Sequence, residues 1–197
     1  MNPEPPDDDT ADMRDIVRDW IWYGYHAASA IDDWIDACAA RGDGFDLPWI
    51  KAFARAERQH KRAAEAQWPA VTDCDRLDHA FAHLAGQGFC ALQWAGDTLD
   101  DGFERVSQTI NADDVPTERY TTGFCFFHSQ DMDHALNGEG LSVAFGHVDP
   151  DSDEDDVRMG RLVFEALEWA GLKPEWNGSP DRRIFLPTLH WQRRSPD

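Results

Sequence analysis

The chain lacks any close pair of cysteines. Cys38, Cys74, Cys90 and Cys125 stand far apart and no C-x-x-C occurs, which speaks against a disulfide framework or a cysteine-based metal or redox motif. Three of them sit among apolar neighbours, where a free thiol behaves as a small hydrophobe. No apolar run reaches membrane-spanning length, and the acidic, Pro-rich start does not fit a signal peptide. The protein is therefore expected to be cytoplasmic and reduced. Basic residues are scarce: 18 against 38 acidic, for a net charge of −20. Such a field repels nucleic-acid phosphates and anionic membranes, so neither is an expected partner; it favours a cationic partner, or simply solubility.

A complete catalytic motif is missing as well. Ser179 lies in G-S-P, without the strand-to-helix setting of G-x-S-x-G. Gly86, Gly88 and Gly96 form neither G-x-G-x-x-G nor a P-loop with its lysine. Glu57-x-x-His60 has no second Glu-x-x-His to complete a di-iron pair. No cofactor and no metal are expected, and the balance points away from an enzyme.

What is present is apolar mass in abundance. Hydrophobic residues make up 42% of 197 positions and nine are Trp, enough for one domain with an appendage or two small domains. Residues 1–11 carry too little apolar content to fold and read as a disordered acidic leader. Residues 12–72 read as an N-terminal helical hairpin. Met13, Ile16, Val17, Trp20, Ile31, Trp34, Ile35 and Cys38 recur at helical spacing up to Gly42, with Gly24 as an interruption. A second helix fits Leu47 to Gln67, with Pro48 in its first turn and an outer face of Lys51, Arg55, Arg58, Lys61 and Arg62.

Residues 73–197 alternate in type. Helices are expected at 75–85, 99–111, 131–136 and 157–170, and strands at 89–94, 121–128, 141–148, 174–176 and 183–186. The last two strands are too close for a crossover helix, so at least one pairing must be antiparallel. The fold class is α+β, a mixed sheet with helices packed on it, preceded by the helical hairpin.

The most suggestive segment runs from Gly123 to Gly146. An aromatic strand ends in His128, and Gln130 and Asp131 follow at the start of a helix. Such junctions face outward in α/β folds and often carry binding groups, so these three are candidate binding residues. The alternative is structural: Asp131, or Ser129, caps the helix and His128 orients nearby backbone. Asp75, His79 and His83 share a helical spacing, but without an intervening catalytic Glu they read as surface residues. Carboxylates at Asp149, Asp151, Asp153, Glu154, Asp155 and Asp156 begin like a calcium loop, yet Glu154 stands where Gly is needed and Gly160 where a bidentate Glu is needed. The run is either a solvated loop leading a helix N-terminus or a contact surface for a basic partner. Cys125 and His128 lie on opposite faces of an extended strand, so no Cys–His pair is expected. Trp169, Trp176 and Trp191 are expected to cover core or sheet; one left exposed would be a binding hot-spot candidate.

The pieces G-F-C-A-L-Q-W-A-G (88–96), G-F-C-F-F-H-S-Q-D (123–131), G-L-S-V-A-F-G (140–146) and G-L-K-P-E-W-N-G (171–178) resemble a bacterial domain family of unknown function, as do the closing R-I-F-L-P and W-Q-R-R. The resemblance covers residues 73–194 and leaves the N-terminal hairpin outside. It implies a shared fold and a shared surface around His128, Gln130 and Asp131, with Asp101-Gly102 as the counterpart of an acidic Asp-Gly segment. It brings no activity. The leading functional expectation is an acidic binding protein, of the immunity type, that neutralises a basic toxin or effector. The alternative is a small-ligand protein or enzyme using the His128–Gln130–Asp131 junction in a pocket lined by Phe126 or Phe127. A third is self-association through Trp20, Trp22 or Trp34.

Overall fold

The computed structural model describes residues 4–112, 120, 122–148 and 153–196. The chain divides into two compact units, Met1–Ala70 with Gln192–Asp197, and Val71–Trp191. The closing residues thus belong with the N-terminal helices, and not with the domain that the sequence reading extended to 197.

The first unit holds three helices, α1 (Asp8–Tyr23), α2 (Ala28–Arg41) and α3 (Leu47–Glu65). Helix α1 begins inside the stretch expected to be a leader. Asp7 accepts the Thr10 N–H at 2.8 Å as its N-cap, and Asp8 and Asp9 favour the positive end of the helix. Buried Thr10 then accepts the Asp46 N–H at 2.9 Å through its hydroxyl. The long helical pattern up to Gly42 is two helices, because Gly24 (φ 76°) turns left-handed and stops α1. Val17, Ile35 and Ile50 are fully buried in the shared core, each worth about 1.5–3 kcal/mol relative to exposure.

The basic residues of α3 form an open outer face only in part: Arg55 and Arg62 are exposed, and the other three are engaged. Arg58 pairs with Asp32 of α2 at 2.7 Å, and Lys51 with Asp36. Lys61 is fully buried and donates to the Ile21 carbonyl at 2.7 Å, where a cation satisfies the negative end of α1. The tryptophans proposed for self-association are half-buried instead: Trp20 stacks on Trp34 with centroids 4.4 Å apart, and the Trp22 indole donates to Glu57 at 2.7 Å. Ser195 donates through its backbone N–H to Glu65 at 2.8 Å, which ties the chain end to α3.

The second unit is α+β, with α4 (Asp73–Gly86), β1 (Phe89–Leu92), α5 (Leu99–Ile110), β2 (Gly123–Phe126), α6 (Ser129–Leu136), β3 (Leu141–His147), α7 (Asp153–Trp169) and β4 (Ile184–Leu186). The sheet order is β1-β2-β3-β4; β1 and β2 run parallel, while β2–β3 and β3–β4 are antiparallel. The expected strand at 174–176 is reduced to one antiparallel bridge between Glu175 and Phe185. Period-two alternation sorts the sheet faces. Gly123 and Phe145 meet α7 at Met159 and Gly160, whereas Phe124 and Phe126 take the Phe103 ring of α5 edge-on at 5.8 and 5.2 Å. No helix among the described residues is long and apolar enough to cross a membrane.

Candidate binding surface

His128 sits in extended conformation at the end of β2 and occupies the N-cap position of α6. Neither Asp131 nor Ser129 is that cap. Asp131, three residues on, accepts the backbone N–H of His128 at 3.2 Å, the reciprocal half of a capping box. Ser129 instead donates its hydroxyl to Asp97 at 3.0 Å. The capping bond turns Asp131 inward: its exposure is 2%, and that of His128 is 4%. Arg183, two residues before the middle of β4, sends Nη1 to both carboxylate oxygens at 2.8 and 3.0 Å.

His128 Nε2 lies 3.1 Å from the Asp131 carboxylate, an acceptor, and 3.3 Å from Arg183 Nη1, a donor. Nδ1 is buried and has no hydrogen-bond partner among the described residues. Burial holds the imidazole below its ordinary pKa; Asp131 opposes that shift and Arg183 adds to it. Burial and Arg183 thus favour the neutral imidazole beside a carboxylate that the arginine compensates. This cluster joins the α6 N-terminus to the segment at β4. Gln130 is exposed. Phe126 and Phe127 are fully buried, and none of four clefts found at the described surface is lined by them or by His128, Gln130 or Asp131.

Of the acidic run, Asp149 and Asp151 lie outside the described residues. Asp153, Glu154, Asp155 and Asp156 form the first turn of α7, where carboxylates complement the helix dipole. Asp156 accepts the His147 N–H at 2.8 Å and Asp155 pairs with Arg158 at 2.9 Å, so both have structural tasks. Asp153 and Glu154 are exposed. The trio at 75, 79 and 83 does not gather: Asp75 closes a capping box with Thr72, and His83 stacks on Trp169 with centroids 4.7 Å apart. No group of three His, Cys, Asp or Glu suited to a metal ion occurs among the described residues. All four cysteines are buried, and burial pushes the Cys90 thiol up to about 11 and Cys125 higher still.

The outer surface of α7 holds what the motif reading missed. Trp191 is buried, as expected of a core residue, but Trp169 is 67% exposed. Phe164, five residues earlier, and the half-buried Trp176 line a cleft of about 350 Å³ with Arg161, Glu165 and Glu168. The signal was local. The core stripe of α7 is Met159, Val163, Ala166 and Leu167, which leaves 161, 165, 168 and 169 to solvent at helical spacing. A second cleft of about 250 Å³ carries Asp97, Asp101 and Glu104. There Asp101 caps α5 through Thr98, Asp97 takes the Ser129 hydroxyl and Glu104 takes the Gln108 amide.

Helices over a four-stranded mixed sheet define an α+β protein, with aromatic and carboxylate side chains exposed on one helix. The chain belongs to a family of domains of unknown function, DUF6891, whose model matches residues 6–195. The match takes in the N-terminal helices that the sequence resemblance left outside. No curated protein and no solved structure matches the chain.

Proposed function

We propose that the protein binds a basic protein partner through the outer face of α7, in the manner of an immunity-type protein that neutralises a cationic toxin or effector. The observation that carries this reading is Trp169, 67% exposed on a helix with six carboxylates and two arginines. An exposed indole is a large apolar surface that water solvates poorly, and aromatic anchors supply much of the affinity of protein interfaces. Its stacking on His83 fixes one face and leaves the other for a partner. The surrounding carboxylates speed the encounter with a positively charged protein and disfavour acidic ones. The net charge of −20 acts in the same direction.

The alternative, a small-ligand or catalytic site at the His128 junction, has less support. His128 and Asp131 are committed to each other and to Arg183 and line none of the four clefts, although the α5 cleft adjoins the junction through Asp97 and Ser129. The test is co-purification with the basic proteins encoded next to the gene, at about 0.05 and about 0.5 M salt, the latter short enough in screening length to weaken charge pairing. Wild type is expected to retain a basic protein at low salt, and Trp169→Ser to lose it. Retention of no such protein, or equal retention by both, removes this reading.

A further inference from the structure

We infer that the cleft between Phe164 and Trp176 is a receptor pocket for an arginine side chain of the basic partner. This deepens, and rests on, the reading of α7 as the partner-binding face. The pocket is pre-formed. The Trp176 indole donates to the Ser179 and Arg182 carbonyls at 3.0 and 2.9 Å, and Phe145 meets it edge-on at 5.3 Å. Gly160 makes room for this packing, since a Cβ there would come within 2.7 Å of both rings. An indole fixed from two sides presents its remaining surface at little entropic cost.

The chemistry of the lining selects the ligand. Phe164 and Trp176 offer aromatic surface on which a cation is attracted by the ring quadrupole. Glu165 and Glu168 stand three apart on α7, hence on one face. Neither side chain has a hydrogen bond or ion pair among the described residues, in contrast to the acids of the α5 cleft. Arg161 is the one cation of the lining, so the pocket keeps a net negative charge. A guanidinium fits both features: its plane lies on an aromatic ring, and its fork of N–H donors matches a carboxylate. The volume, about 350 Å³, is at the small end for ligand sites and suits one side chain better than a larger molecule.

The probe is the peptide acetyl-Gly-Arg-Gly-amide, with its citrulline analogue as the neutral isostere, followed by NMR at the Trp176 indole N–H and the Phe164 ring. The arginine peptide is expected to shift both signals saturably, with a dissociation constant on the order of 1–10 mM. Citrulline is expected to leave them in place, and Glu165→Gln/Glu168→Gln to weaken arginine binding about tenfold while the rest of the spectrum stays native. No saturable shift, an equal shift by citrulline, or unchanged binding by the double variant overturns the pocket. Trp169→Ser, outside the lining, separates the two claims. Peptide binding without any basic-protein binding overturns the partner reading alone; protein binding without peptide binding overturns the pocket alone.

Discussion

Replacing Arg183 by Met leaves Asp131, 2% exposed, without its cation. The carboxylate keeps the His128 N–H at 3.2 Å and His128 Nε2 at 3.1 Å, and loses two contacts at 2.8 and 3.0 Å from one guanidinium nitrogen. Charge-assisted bonds are worth about 1.5–3 kcal/mol, and breaking a buried pair from one side costs about 3–5 kcal/mol. The two contacts share a nitrogen, and the Arg183 side chain is 37% exposed, so solvent screening lowers the figure to about 2–4 kcal/mol. Asp131→Asn in the same background removes the stranded charge, and the double variant is expected to recover at least about 1 kcal/mol of the summed losses. Arg183 is also one of the groups that lower the His128 pKa. Without it the imidazole protonates more readily and can compensate Asp131, so the loss is expected to be larger at pH 8 than at pH 6. Urea unfolding followed by Trp fluorescence at both pH values measures all three terms. A loss under about 1 kcal/mol at pH 8, or strict additivity in the cycle, refutes the argument.

Three further outcomes are expected. Because the folded pKa of His128 is depressed, its contribution to stability is complete above the unfolded value of about 6.5 and is lost as pH falls below it, by at most about 1.4 kcal/mol per pH unit; the difference in unfolding free energy between wild type and His128→Asn should shrink over that range, and a constant difference contradicts it. Gly102→Ala adds a Cβ that meets the fully buried Phe126 ring, so overpacking of about 1–3 kcal/mol should outweigh the gain in helix propensity of up to about 1 kcal/mol; Gly86→Ala, with open space around it, should be neutral or stabilising in the same thermal melts. With its thiol pushed up to about 11, Cys90 should stay unreactive to a thiol reagent at pH 8 until denaturant is added, as should Cys125; rapid labelling of either in the native protein counts against their burial.

Much of the fold was legible because it is written in local periodicity. The helix expected at 75–85 is α4, whose buried Leu77, Ala80, Phe81 and Leu84 stand at helical spacing, and the close spacing of the last strands required antiparallel pairing. The failures share a cause, which is that the deciding partner is distant in sequence. Lys61 has the local pattern of a solvent-facing residue, but the Ile21 carbonyl 40 positions earlier draws it into the core. The break at Gly24 was visible as an interruption, yet the apolar stripe runs past it, and only the left-handed turn shows two helices. His128 and Asp131 were singled out together, and they do meet. Their burial was hidden because Arg183 lies 52 residues on and the capping bond turns the junction inward. Exposed Trp169 needed no distant partner. Its position off the Met159–Leu167 stripe is readable in the sequence, where composition alone does not tell which of Trp169, Trp176 and Trp191 covers core or sheet and which is left exposed.

The central claim, that the outer face of α7 receives a basic protein, is tested most directly by amide hydrogen exchange on the complex with the basic proteins encoded beside the gene. Protection is expected along the α7 stretch from Arg158 to Trp169 and around Trp176, with little change on α5. Protection centred on α5 or on the three N-terminal helices, or none at all, would contradict it.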